Sequence, residues 1–262
     1  MADKCLEDPQ VATRSRRLER VLPPVIAVAA LLVSSPRVLA QGQGRITPPD
    51  LNGIWRNQYT PDLAQALGRQ PPFTPYGAER WRTVDTAKDP TGVCLPPGPS
   101  RAFTAPFPFM LVQQPKGIGL LFEYQTIWRM IYMDGRGHPE DIADYPEFMG
   151  HSIGRWEGDI LVVDTVGIDE RSWLDTAGHE HSGKLHLTER FRRAGENTLT
   201  WTVTFDDPVF FSRPWSLTRT FTRFDDAKDR IMPYVCTENN RDVEHLKPNQ
   251  PNLTYKYEPD AR

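Results

Sequence analysis

Apolar and polar positions alternate along much of the chain. Leu199, Trp201, Val203 and Phe205 occupy every second place between Thr198, Thr200, Thr202 and Thr204. A period of two marks a strand with one buried and one solvated face. Shorter runs of the same kind recur with turn residues between them. Phe109–Gln113, Ile118–Tyr124 and Trp128–Tyr132 lead to a turn at Asp134-Gly135, and Glu157-Gly158-Asp159 joins Ser152–Trp156 to Ile160–Thr165. Leu185–Arg192 should pair with Thr198–Phe205, and Ser216–Phe224 and Arg230–Glu238 close the series. Leu51–Tyr59 reads as the first strand and Tyr76–Thr86 as a short helix. Eight to ten hairpin-linked strands predict an all-β fold. The expected form is an antiparallel meander closing into a barrel, with a β-sandwich as the alternative.

Two segments break the pattern. Asp89–Pro108 contains Pro90, Pro96, Pro97, Pro99, Pro106 and Pro108. Proline fixes φ and removes a donor, so this stretch is expected to be an irregular N-terminal strap over the sheet. At the N-terminus, Arg14, Arg16, Arg17 and Arg20 precede the apolar Val25–Val33, and Val38-Leu39-Ala40 fits a cleavage site. These are the parts of an export signal over 1–40, and the apolar run is too short to span a membrane. The expected order is then a linker over 41–50, one β domain over 51–250 and a tail over 251–262.

Charge narrows the partners. Taking the six basic and four acidic residues of 1–40 from totals of 31 and 34 leaves 25 and 30. A net charge near −5 carries no nucleic-acid footprint. No stable membrane span is expected after signal cleavage, and the expected partner is a small-molecule ligand or substrate. Cys94 and Cys236 remain as an even pair once Cys5 leaves with the signal. They are predicted to form a disulfide in an oxidising compartment, periplasmic or secreted.

Candidate chemistry centres on histidine. His151 and His181 are each followed by a serine and are the preferred proton carriers. Asp175 and Glu189 are candidate catalytic carboxylates, and Tyr132 a candidate proton donor. Trp173 and Trp215 lie in or beside loops, where an indole can stack on a ligand ring. Arg190 and Glu123 complete the expected substrate-binding set. His138 sits in a Gly/Pro-rich turn and reads as structural. No G-x-S-x-G elbow is expected, no P-loop, HExxH or CxxC motif appears, and no cofactor is expected. The alternative is a divalent metal on His179, His181 and His186. Against that stands an exposed turn over the same residues, flanked by Gly178 and Ser182-Gly183.

These residues point to an exported enzyme acting on a small cyclic organic molecule, such as a sugar derivative, terpenoid or aromatic. The chemistry would be histidine-assisted acid–base catalysis of lyase, isomerase or hydrolase type. The alternatives are a non-catalytic lipocalin-like ligand carrier and an envelope interaction protein.

Gly53-Ile54-Trp55 resembles the G-x-W signature of lipocalins and other calycins, in which the tryptophan plugs the closed barrel end. Longer stretches carry a second likeness: FTPYG, DPTGVCLPPG, LFEYQTIWRMIYMDGRGHP, GHSIGRWEGDILVVDTVG, WLDTAGHEHS and YVCTENN. Through them the chain resembles a family of exported bacterial β-rich proteins. The resemblance implies export and a β-rich fold, and assigns no reaction.

Overall fold

The structure, a computed structural model, describes residues 47–224 and 228–236. The expected export signal, the start of the linker, the tail over 251–262 and the end of the last expected strand lie outside the described residues.

Nine strands follow one another: β1 (Gly53–Arg56), β2 (Phe109–Gln114), β3 (Gly117–Phe122), β4 (Trp128–Tyr132), β5 (His151–Glu157), β6 (Ile160–Val166), β7 (His186–Gly195), β8 (Thr198–Asp206) and β9 (Trp215–Arg223). Each pairs with the next, and β9 returns to β1, so the sheet closes into a barrel. The expected all-β barrel is present and the sandwich alternative falls. The meander is not wholly antiparallel, however. β4 and β5 run parallel through Ile131↔Ser152 and Tyr132↔Ile153. A parallel neighbour cannot be reached by a tight turn, and residues 133–150 form the long crossover that this geometry demands.

Local chemistry sets the hairpins. Glu157↔Ile160 closes the β5–β6 turn over Gly158 and Asp159. Gly158 takes a φ of 64° there, a conformation that glycine adopts without steric cost. The alternation read from the sequence decides the faces. Leu199, Trp201, Val203 and Phe205 of β8 are fully buried, as are Leu187, Glu189 and Phe191 of β7. Asp164, His186 and the threonines of β8 take the opposite parity and face outward.

Among the described residues, three short α-helices stand outside the sheet order: α1 (Leu63–Leu67), α2 (Pro75–Thr83) and α3 (Pro99–Thr104). The last corrects the expectation of an external strap. Pro99 starts α3, where its missing N–H costs nothing, and all six residues of the helix are buried. Phe103 lies 4.8–5.6 Å, centroid to centroid, from Phe109, Phe122, Phe191, Trp201 and Phe221. Those rings come from β2, β3, β7, β8 and β9, so Phe103 is a plug inside the barrel. Trp55 is buried too and donates its indole N–H to Leu51 O at 3.0 Å.

The last expected strand is also corrected. Residues 230–236 form no strand and instead run beside residues 123–126. Met232 N donates to Glu123 Oε2 at 3.0 Å, and Tyr234 N donates to Thr126 Oγ1 at 2.9 Å. The Cys94–Cys236 disulfide is present, with Cα atoms 5.5 Å apart. No helix among the described residues is long and apolar enough to cross a membrane.

Candidate functional site

The register of β5, β6 and β7 gathers one group of side chains on the outer wall. Asp164 pairs with Ile153 on one side and Thr188 on the other. His151 and His186 lie two residues from those partners, so they share the outer face with Asp164 as diagonal neighbours. The 133–150 crossover adds His138. His186 Nε2 is 2.7 Å from Asp164 Oδ2, and His138 Nε2 is 2.9 Å from Asp164 Oδ1. His138 Nδ1 is 2.8 Å from His151 Nδ1. The four groups therefore form a single line, His186–Asp164–His138–His151. Tyr132 stacks on His151 with ring centroids 5.1 Å apart, and the Arg136 guanidinium covers Tyr132 at 4.0 Å.

The charges along this line differ. Hydrogen bonds from His186 and then His138 hold the Asp164 carboxyl below its usual range. The same Asp164 bond raises His186. Burial pushes His151 down, and the nearby His138 and Arg136 push it further. His151 is therefore neutral at neutral pH beside a charged Asp164. One neutral tautomer set follows from the network. Asp164 accepts from His138 Nε2–H, which leaves a lone pair on His138 Nδ1. His151 donates its Nδ1–H to that lone pair and keeps a lone pair on Nε2. No described residue hydrogen-bonds His151 Nε2. His151 lines a cleft of about 370 Å³ with Trp128, Tyr132, Glu147 and Phe148. The cleft opens where β4 and β5 pair at only two positions.

The other sequence candidates lie elsewhere. His181 is buried, with Nε2 3.0 Å from Ser172 Oγ and Nδ1 3.0 Å from Ser182 O. Burial lowers its pKa. Asp175 pairs with His179 Nδ1 at 2.6 Å rather than with His181. It also accepts backbone N–H bonds from Leu63, Gly178 and His179. Trp81 stacks on His179 at 4.0 Å, and His179 Nε2 is buried without a partner among the described residues. The proposed metal set is not brought together: His179, His181 and His186 bond to three different partners. Asp62, Asp175 and His179 do have atoms within 4.8 Å of one another. Their oxygens are engaged, since Asp62 caps α1 and Asp175 serves its four donors. We read that group as a loop anchor.

Glu189 faces the barrel interior. It forms a buried ion pair with Arg129 and accepts Trp201 Nε1–H at 3.0 Å. Arg129 Nε also donates to Ser152 Oγ at 2.9 Å. The expected absence of a G-x-S-x-G elbow is corrected here. Gly150-His151-Ser152-Ile153-Gly154 has the G-x-S-x-G spacing of a nucleophile elbow. Here it lies along β5, and Ser152 points inward and is fully buried. Trp173 and Trp215 are buried core residues, Trp215 stacked on Phe205 at 4.2 Å, and neither offers a ring to a ligand. Arg190 faces solvent and pairs with Glu157, and Glu123 holds the Met232 amide.

No protein-family model matches the chain, and no curated protein matches it.

Proposed function

We propose that the protein is an exported enzyme that moves a proton on a small cyclic organic molecule, with His151 as the base. The carrying observation is the His186–Asp164–His138–His151 line, which ends in a residue that lines a cleft and whose Nε2 has no hydrogen-bond partner among the described residues. In this reading His151 Nε2 takes a proton from the substrate or from a water aimed at it. The His151 Nδ1 proton then passes to His138 Nδ1, so His151 ends neutral and His138 becomes an imidazolium against Asp164. Charge appears where a carboxylate already sits, which lowers the cost of the step. Reversal returns the proton, and this suffices for elimination, isomerisation or water addition.

The cleft volume lies at the small end of the range for organic ligands. The lipocalin-like carrier is disfavoured because Phe103 and the Arg129–Glu189 pair occupy the space that a carrier keeps open. The disulfide supports a periplasmic or secreted location, in keeping with the resemblance to an exported family.

The test is untargeted metabolite profiling with the purified protein beside His151→Gln. Wild type should convert at least one cyclic metabolite, and His151→Gln should lose roughly 100- to 10,000-fold in rate. Equal conversion by both, or none by either, refutes the reading. The pH profile gives a second check. A proton on His151 Nε2 blocks the base, and His151 has a lowered pKa. Rate should therefore persist below the ordinary histidine value of about 6.5 and fall only in more acid solution. An acidic limb centred above that value removes His151 from the role.

A further inference from the structure

The outer wall of the barrel over β7, β8 and β9 is polar. Thr202 bonds Thr218, Thr204 bonds Ser216, and Arg190 and Arg192 pair with Glu157 and Asp159. The β2–β3–β4 sector departs from this. Its outward side chains are apolar and uncovered: Trp128 is 67% exposed, Leu121 43% and Met130 37%. Along the middle strand Gly117 and Gly119 take outward positions beside Leu121. The cross-strand pairs are Leu121↔Trp128, Gly119↔Met130 and Gly117↔Tyr132, with Val112↔Gly119 on the far side. The missing side chain at Gly119 leaves a trough between Val112 and the Met130–Tyr132 row, while Met130 Sδ lies 3.2 Å from where a Gly117 Cβ would stand. A Cβ at Gly119 would meet nothing nearer than Val112 O at 4.0 Å, so the space above that glycine is open. The trough has a volume of about 730 Å³.

Two further observations say what fits it. Lys116 lines it without an ion-pair partner among the described residues, whereas Asp134 and Arg136, which also line it, pair with each other. The trough also shares Trp128, Met130 and Tyr132 with the cleft that His151 lines, so the two adjoin along that row of β4 side chains. An open glycine floor beside an exposed indole matches a flat ring face, and the Lys116 ammonium, the one of these charges without an ion-pair partner among the described residues, matches an acidic substituent.

We propose that this trough is the substrate-binding platform and that it takes a planar, mainly apolar ring compound bearing one acidic group near Lys116. The ring lies over Gly119 with its edge against Trp128 and Met130. The Tyr132 end then delivers the reacting atom to His151. The assignment rests on the proton-transfer reading for its chemical meaning and on the trough alone for binding.

Calorimetric titration of the full protein with 2-naphthoate, 2-naphthol and cyclohexanecarboxylate tests it. Naphthoate should bind most tightly and the non-planar ring least. Gly119→Leu fills open space without a clash and should weaken naphthoate by about tenfold or more, as should Trp128→Ala. Lys116→Gln should abolish the preference for naphthoate over naphthol. His151→Gln should leave naphthoate binding unchanged, which separates the two readings: binding without turnover of any compound refutes the base and spares the platform. Absence of binding at millimolar probe, or binding indifferent to Gly119→Leu, overturns the platform. So does a wild-type dimer that Gly119→Leu dissociates, because the trough is then a contact between copies of the chain.

Discussion

A charge inside a barrel persists only in company, and Glu189 shows how many partners that takes. Its carboxylate is fully buried among Arg129, Trp201 and Thr165, and the Arg129 guanidinium is spread over Glu189, Ser152 and Thr165. Removing one partner strands the other. Arg129→Met should cost roughly 3–5 kcal/mol, because an unpaired buried carboxylate remains. Arg129→Met with Glu189→Gln should recover much of that loss, since glutamine still accepts the Trp201 N–H without a charge. Urea denaturation of both variants checks this, and a single variant as stable as wild type would mean the pair is not structural. The same scale shows what single residues reveal beforehand. His151 and Tyr132 were both candidates from residue type, and the structure stacks them. The chain pattern could not supply their partners. His138 is 13 residues from His151 and 26 from Asp164, and no local periodicity records a contact made by a crossover folding back. His138 looked structural because its Gly/Pro surroundings specify a turn, and they say nothing about where the turn lands.

Among the elements, the hairpins were legible and the exceptions were not, for one physical reason. Alternation and turn chemistry act over a few residues, so β5–β6 and β7–β8 can be read directly. The β4–β5 parallel joint depends on which edge a distant strand meets, and its local sequence is that of any strand. The α3 plug was hidden differently. Proline announces that a segment is not a central strand, yet a short proline-started helix meets that condition as well as a surface strap does. What distinguishes them is Phe103, an aromatic with no alternating neighbours. Its five ring contacts come from strands around the barrel, so it acts as the keystone of the interior. Phe103→Ala should cost about 3–5 kcal/mol, from lost burial plus the cavity left between strands that cannot collapse inward. Thermal unfolding measures it. A loss under about 1 kcal/mol would show that the barrel closes without the plug.

For the molecule as a whole, the disulfide ties together parts that the sheet leaves separate. Cys94 lies just before the plug helix, and Cys236 ends the segment that runs beside residues 123–126. Thr126, which holds Tyr234 through two hydrogen bonds, also lines the cleft of His151. One covalent bond thus fixes the base of the plug, the end of the described chain and one wall of the candidate site. The bridge spans 142 residues, and a loop of that size gives a chain-entropy stabilisation of roughly 4–5 kcal/mol. Its loss should not be felt evenly. The strands β6, β7 and β8 keep their ladders when the bridge is cut, whereas residues 230–236 are then held by a few solvent-facing hydrogen bonds and the stacking of Tyr234 on Phe107 and Tyr124. Segments with few buried contacts open first. Hydrogen exchange on the reduced protein should therefore show early loss of protection at 230–236 and around Cys94, with β6–β8 protected until global unfolding. If turnover needs the Thr126 wall in place, reduction should also raise KM before it affects stability at assay temperature. Uniform loss of protection across the barrel would instead make the bridge a global staple with no particular claim on the site.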